Sequence, residues 1–268
     1  MSTNPPPPAP TEHLAPASRA RLWWEIAIVL ALGLGQSAIY AIVALAYRYT
    51  REESLRDQST TLNPSRSDLP IFDLIYQLLS ITFALVPVLL VCFLLWSPRR
   101  PHLGALGIDG TRVGRDIGWG VALVAAIGIP GIALYFGGLA ANLFVAVQPS
   151  GLGDHWWTVP VLLLSAARAA LQEEFVVLGY LFARLRQLGW STWPIIIATS
   201  VFRASYHLYQ GPGAFIGNLG MGLLFGYLYN RTGRLVPFLV AHFLLDAAVF
   251  IGYPWIAATW PGLFGLPG

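Results

Sequence analysis

The chain has 268 residues, of which 56% are hydrophobic and 11% charged, with a mean hydropathy of +0.60. Soluble domains carry about a quarter of their residues as charges, so these values exclude an ordinary soluble domain and describe a polytopic membrane protein. All sixteen basic residues are Arg, and a formal charge of +3 is too small and too dispersed for a nucleic-acid surface.

Residues 1–20 hold Pro5 to Pro8, Pro10 and Pro16 among small and polar residues, which predicts a disordered tail. The first apolar run, 22–47, is too long for a signal-peptide core and reads as a spanning helix. A polar loop of mixed sign over 48–70 precedes a second span, 71–96, in which Pro87 predicts a kink. Cys92 lies in that run and, having no second cysteine to pair with, reads as a packing residue. The basic connection 97–116 leads to a Gly-rich third span, 117–147, interrupted by Pro130.

The fourth span, 158–182, contains Glu173 and Glu174, and its only other formal charge is Arg168. Two adjacent carboxylates in lipid are costly and mark either a functional site or a buried structural ion pair. Span five, 193–207, carries Arg203 and His207. Span six has Gly213, Gly217, Gly222 and Gly226 in small-xxx-small pairs that read as tight helix packing. Span seven, 235–251, bears His242 and Asp246, and the apolar tail from 253 is split by Pro254 and Pro261 into a short eighth helix or an interfacial segment. The fold expected is all-α, a polytopic helical membrane protein with seven to eight transmembrane helices. Its divisions are the tail, N-terminal helices over 21–147, a helical core over 148–252 and the apolar segment 253–268.

Alternate connections differ in charge. The N-terminus, 97–116, 183–191 and 230–234 hold ten Arg, whereas 48–70, 148–157 and 208–213 hold four Arg balanced by acids. The positive-inside rule then places the N-terminus in the cytoplasm. Arg-only basic usage fits a multi-pass protein of a bacterial plasma membrane, in contact with membrane lipid.

Depth tests whether the polar residues of separate spans belong together. At about 1.5 Å per residue, Glu173, His207, and the His242/Asp246 pair each fall roughly 16–22 Å from the basic interface. His242 and Asp246 lie one helical turn apart on one face, as do Arg203 and His207. A lone histidine is most often a satisfied core residue, but two histidines and two glutamates at one level point to a site.

The order Glu-Glu, a histidine thirty-four residues on and His-xxx-Asp thirty-five further resembles the CPBP family of intramembrane proteases, which includes CAAX prenyl endopeptidases and Abi bacteriocin-immunity proteins. The likeness covers about 155–250. The EExxxR motif is present as Glu173-Glu174-Phe175-Val176-Val177-Leu178, with Leu178 in place of the arginine. The FxxxH motif is Arg203-Ala204-Ser205-Tyr206-His207, with Arg203 in place of the phenylalanine. The third motif, His242 to Asp246, fits. The resemblance implies that Glu173 activates water, His207 assists it, and His242 with Asp246 stabilises the oxyanion or orients the water, on a membrane-associated peptide or protein substrate.

Two cofactor readings stay open: hydrolysis that needs no cofactor, and a divalent metal such as zinc held by Glu173, His207 and His242. No HExxH or GxSG motif is present, and Gly151-Leu152-Gly153-Asp154, a formal GxGD match, reads as a turn. The alternatives are a catalytically degenerate family member serving as a membrane scaffold or immunity protein, and a small transporter with a Glu/His proton relay. The two departures predict one exchange: Arg203 supplies from span five the charge that Leu178 lacks, pairing with Glu174.

Overall fold

The computed structural model describes residues 18–259; the Pro-rich tail expected at the N-terminus and the last residues of the C-terminal segment lie outside them. Eleven α-helices account for nearly all of the described regular structure, so the molecule is all-α in class. The Ser18 hydroxyl caps α1, Arg19–Ala31, by accepting from the Arg21 N–H. The single span expected over 22–47 is instead a broken one, α1 and α2, Leu34–Tyr49, bent by 60° at Gly33. A Cβ at Gly33 would stand 2.7 Å from the amide nitrogen of Gln172, so the chain gives way where that side chain approaches the backbone.

Helices α3, Pro70–Ala84, and α4, Val86–Leu94, meet at Leu85, one turn around Pro87. Helix α5, Val113–Ala140, runs through Pro130 without a break but stops short of the 147 expected for span three. The chain there turns into a short strand, β2, Ala146–Gln148, which pairs in parallel with β1, Ser59–Thr61. This ladder, unexpected in an α-helical chain, ties together two connecting loops whose backbone groups need partners.

The glutamate helix runs without interruption from α6, Thr158–Glu173, through a π-helical stretch, Glu174–Leu181, to α7, Phe182–Gln187. Every residue of the π stretch is buried. Helix α8, Thr192–Ser205, ends before His207, which occupies the turn before α9, Pro212–Thr232. Arg203 and His207 are therefore not on one helical face as expected. Pro212 and Gly211, whose φ is 106°, set the reversal. Helices α8 and α9 pack closely because Gly222 lacks a Cβ, which would sit 2.9 Å from the Ser200 Cα. Helix α10, Val236–Ala247, continues through a π turn, Ala248–Gly252, into α11, Tyr253–Thr259.

Among the described residues three helices are long and apolar enough to cross a bilayer, Pro70–Leu94, Val113–Ala140 and Val236–Trp255, and the bent α1/α2 pair adds a fourth where it is taken as one span. Their outer faces expose Trp24, Ile39, Phe93 and Ile129, an apolar surface suited to lipid. Of the helices that carry the site, α10 belongs to one of these spans, whereas α6 bears charge and α8 has only 14 residues, about 21 Å against a hydrocarbon core of about 30 Å.

The loops gather at two ends. At one, Arg19 donates to the Leu188 carbonyl, Leu235 N–H to Leu106, and Arg234 to Asp109 and Asp116. At the other, the Arg56 N–H donates to Asn142, Val145 N–H to the Gln210 carbonyl, and β1 pairs with β2. These two sets are the basic and the charge-balanced connections of the sequence.

Candidate active site

Glu173 closes α6 and Glu174 opens the π stretch. An α-helix sets adjacent side chains about 100° apart, and the wider π turn, a feature common at functional sites, begins between them. The two acids consequently face the same interior but different partners. Glu174 is fully buried, and its Oε1 accepts both from Arg203 Nη2 and from His242 Nδ1, the latter at 2.7 Å. Arg203, also fully buried, thus stands where the sequence departures required a cation for Glu174. A charge this deep needs such a partner, because an uncompensated one costs several kcal/mol. The face of the Phe225 ring lies 5.6 Å from the guanidinium carbon and the Met221 sulfur 3.9 Å from Nη1, so the rest of the head group is lined by polarisable atoms.

Glu173 is held differently. Its Oε2 accepts from the Tyr206 hydroxyl at 2.8 Å and lies 3.6 Å from Arg203 Nη1 and 3.7 Å from His207 Nε2. Among the described residues His207 Nε2, Glu174 Oε2 and Arg203 Nε are buried atoms without a hydrogen bond in the protein. Asp246 Oδ2 is 3.6 Å from His242 Nε2, within ion-pair distance but too long for a hydrogen bond. Five predicted residues, Glu173, Glu174, Arg203, His207 and His242, therefore meet in one cluster, with Asp246 at its margin.

Sequence reasoning missed Tyr206. Its signal was present: a tyrosine beside His207, in an apolar span, must find a partner for its hydroxyl when buried. A second polar cluster was missed as well. Glu25 on α1 accepts from Tyr180 and Arg184, fastening the first helix to the π stretch from the side opposite the loops of β1 and β2.

The zinc alternative does not fit these residues. Glu173, His207 and His242 do not converge on a point about 2 Å from each. His242 turns its Nδ1 to Glu174, the guanidinium of Arg203 already provides a cation near Glu173, and no group of three or more His, Cys, Asp or Glu among the described residues is arranged to hold a metal.

Residues 155–248 match the family model described as Rce1-like, Type II CAAX prenyl endopeptidase Rce1-like. No curated protein and no solved structure matches the chain. The matched stretch contains both glutamates, Glu173 and Glu174, the histidines His207 and His242, and Asp246, and over these residues the chain is similar to the CAAX-type protease family.

Proposed function

We propose that the protein is an intramembrane endopeptidase in which Glu173 activates water against a peptide bond of a membrane-associated substrate. The observation that carries this reading is the unequal treatment of two neighbouring acids. Glu174 is neutralised by Arg203 and engaged by His242, whereas Glu173 has a single direct hydrogen bond and faces His207 across 3.7 Å, a gap that one oxygen atom can bridge.

In the reaction, Glu173 takes a proton from water as the water oxygen bonds to the scissile carbonyl carbon. The developing oxyanion is met by the imidazole N–H of His207 or His242. Glu173 then returns the proton to the amine nitrogen as the C–N bond breaks, releasing an amine and a carboxylic acid, whose remaining proton passes to solvent or to the amine. Arg203 and Glu174 act behind this exchange by fixing His242, and Tyr206 fixes the Glu173 carboxylate. Asp246, beside the second nitrogen of His242, orients that ring or the water.

We place the spans so that the basic end is cytoplasmic, with the N-terminus there and seven to eight helical passes counting the buried inner helices. The aromatic residues Trp23, Trp190 and Trp193 at that end, and Trp156 and Trp255 at the other, support two interfaces. A non-catalytic scaffold would not require Glu173 to be held apart from Glu174.

The test is hydrolysis, by purified protein in liposomes, of a quenched peptide bearing a lipidated cysteine followed by three residues. Wild type should cut it with and without chelator, and Glu173→Ala should not. Turnover retained in the variant would remove Glu173 from the base position, and turnover abolished by chelator would restore the metal reading.

A further inference from the structure

A cavity of about 810 Å³ opens at the end of the molecule opposite the basic one. Its walls are largely apolar: Leu152 of the loop after β2, Val159 and Leu162 of α6, and Phe250 and Ile251 of the π turn that continues α10. Leu162, Ala166 and Phe250 form a small core of their own beneath it, so the cavity lies over the seam between the helix of Glu173 and the helix of His242. Leu162 and Val159 precede Glu173 by eleven and fourteen residues, about 16 and 21 Å along α6. The cavity is therefore separate from the catalytic cluster.

The loop on its rim is Gly151-Leu152-Gly153-Asp154, the formal GxGD match that the catalytic site does not use. Its backbone is pinned on both sides of Asp154. The Thr158 hydroxyl donates to the Gly153 carbonyl at 2.6 Å and accepts from the His155 N–H at 3.2 Å, and farther back the Gly151 N–H donates to the Asn63 carbonyl at 2.9 Å. The Asp154 carboxylate itself makes no hydrogen bond or ion pair among the described residues, and it is the one formally charged group that lines the cavity. A fixed loop that presents an anion beside an apolar chamber is matched by a ligand of two parts, a cation and a hydrocarbon chain. Location selects among such ligands. The apolar span Val236–Trp255 ends here, and the exposed Trp156 and Trp255 are side chains of the kind that sit at a bilayer–water boundary. A chamber at that level fills from the lipid leaflet, and its volume falls within the ordinary range of small-molecule sites.

We propose that this cavity binds one membrane lipid with an ammonium head group, the ammonium against Asp154 and an acyl chain over Leu162 and Phe250. The site stands independently of the endopeptidase reading. A primary ammonium offers three N–H donors and a positive charge to a carboxylate that otherwise faces only water. An anionic lipid with a hydroxyl head would instead set its phosphate charge near Asp154 with no cation to offset it. The acyl chain would fill the gap between α6 and the π turn, where hydrocarbon replaces water against apolar walls.

Two measurements test it. In the first, the purified full chain is equilibrated in detergent with equal amounts of phosphatidylethanolamine and phosphatidylglycerol of the same acyl chains, and retained lipid is read by native mass spectrometry. Wild type should keep one lipid and favour phosphatidylethanolamine by about 10-fold or more, the worth of one charge-assisted contact. Asp154→Asn should bring the ratio close to one, and Asp154→Lys should reverse it. Val159→Trp, at a half-exposed position on the wall, should fill the chamber and displace the lipid with Asp154 still in place. In the second, thermal unfolding separates loss of ligand from loss of fold, because a ligand that binds only the native state raises the midpoint. Added phosphatidylethanolamine should raise that of wild type and leave that of Asp154→Lys where it was. Equal retention of the two lipids by wild type, a preference that survives in Asp154→Lys, or a midpoint raised equally in both proteins would overturn the site. A dimer without lipid that Val159→Trp disperses would also overturn it, and would give the cavity to a second copy of the chain.

Discussion

Arg203 and Arg234 each stand between two carboxylates, and the contrast between them separates a working site from a fastening. Arg234, at the basic end, spends its whole guanidinium: Nε and Nη2 donate to Asp116, and Nη1 and Nη2 to Asp109, at 2.7–3.0 Å. Arg203, inside the helix bundle, donates to Glu174 but only approaches Glu173 at 3.6 Å, and its Nε makes no hydrogen bond. Saturation suits a clamp that closes the connection between α9 and α10 onto the loop before α5. Partial satisfaction is expensive in a dry interior. On the proposed mechanism it persists because one acid, Glu173, must stay free to exchange protons.

The contrast is sharpest at Glu173 itself. Replacing it by Gln keeps the shape and the Tyr206 contact but removes the base, and hydrolysis should fall by about 10²- to 10⁴-fold. Circular dichroism and membrane insertion should not change. A loss of folding equal to the loss of activity would make Glu173 a structural acid like Asp116 and erase the distinction.

Arg203→Leu should be the largest effect on stability. It leaves Glu174 buried and uncompensated, a loss of about 3–5 kcal/mol when one partner of such a pair is removed. Combining Arg203→Phe with Leu178→Arg restores both family positions, and thermal unfolding should recover much of the loss, since the charge then comes from the helix of the glutamates instead of α8. A double variant no more stable than the single one would show that α8 alone is able to supply it.

That pairing was legible in the sequence because Leu178 and Arg203 both depart from the family motifs, and the constant rise of a helix puts Arg203 at the level of Glu174, where a buried charge must be matched. The same reasoning brought both histidines and both glutamates to one level. It failed where tertiary contacts override local pattern. The break at Gly33 comes from Gln172, a residue over a hundred positions away, and the parallel pairing of β1 with β2 joins two loops that each read as unstructured. The π stretch inserts a wider turn at Glu174 that no residue type signals. His207 fell outside α8 because the helix stops at Ser205 and the chain passes through a tight turn, Leu208–Gln210, before the reversal at Gly211 and Pro212, where apolar composition implied a continuous helix.

Tyr206→Phe probes the middle of the scale. Its hydroxyl is the one direct donor to Glu173, and a hydrogen bond to a charged group is worth about 1.5–3 kcal/mol. Because that bond orients the base, the loss should appear in kcat more than in KM, at about 10-fold or more. An equal rise in KM with kcat unchanged would move Tyr206 from positioning the carboxylate to contacting substrate.

The smallest effect belongs to the clamp and reads out its saturation through pH. The Arg234 fork, with the Thr111 N–H and hydroxyl behind it, holds the Asp109 carboxyl well below the usual carboxylate range. A group whose pKa is lowered by folding stabilises the native state above its unfolded value and loses that contribution as pH falls through the folded one. The thermal midpoint of wild type should therefore exceed that of Asp109→Asn by a constant margin above about pH 5, and the margin should shrink below about pH 4, where an unfolded Asp begins to bind its proton. Working with the difference between the two proteins removes the titration of every other carboxylate, including those of the active site. Because the pair lies at the end of the molecule, in reach of solvent, the margin should also narrow in high salt, as the Arg203–Glu174 contact should not. A margin that widens in acid, or that ignores salt as the inner pair does, would mean that Arg234 and Arg203 sit in equivalent surroundings after all.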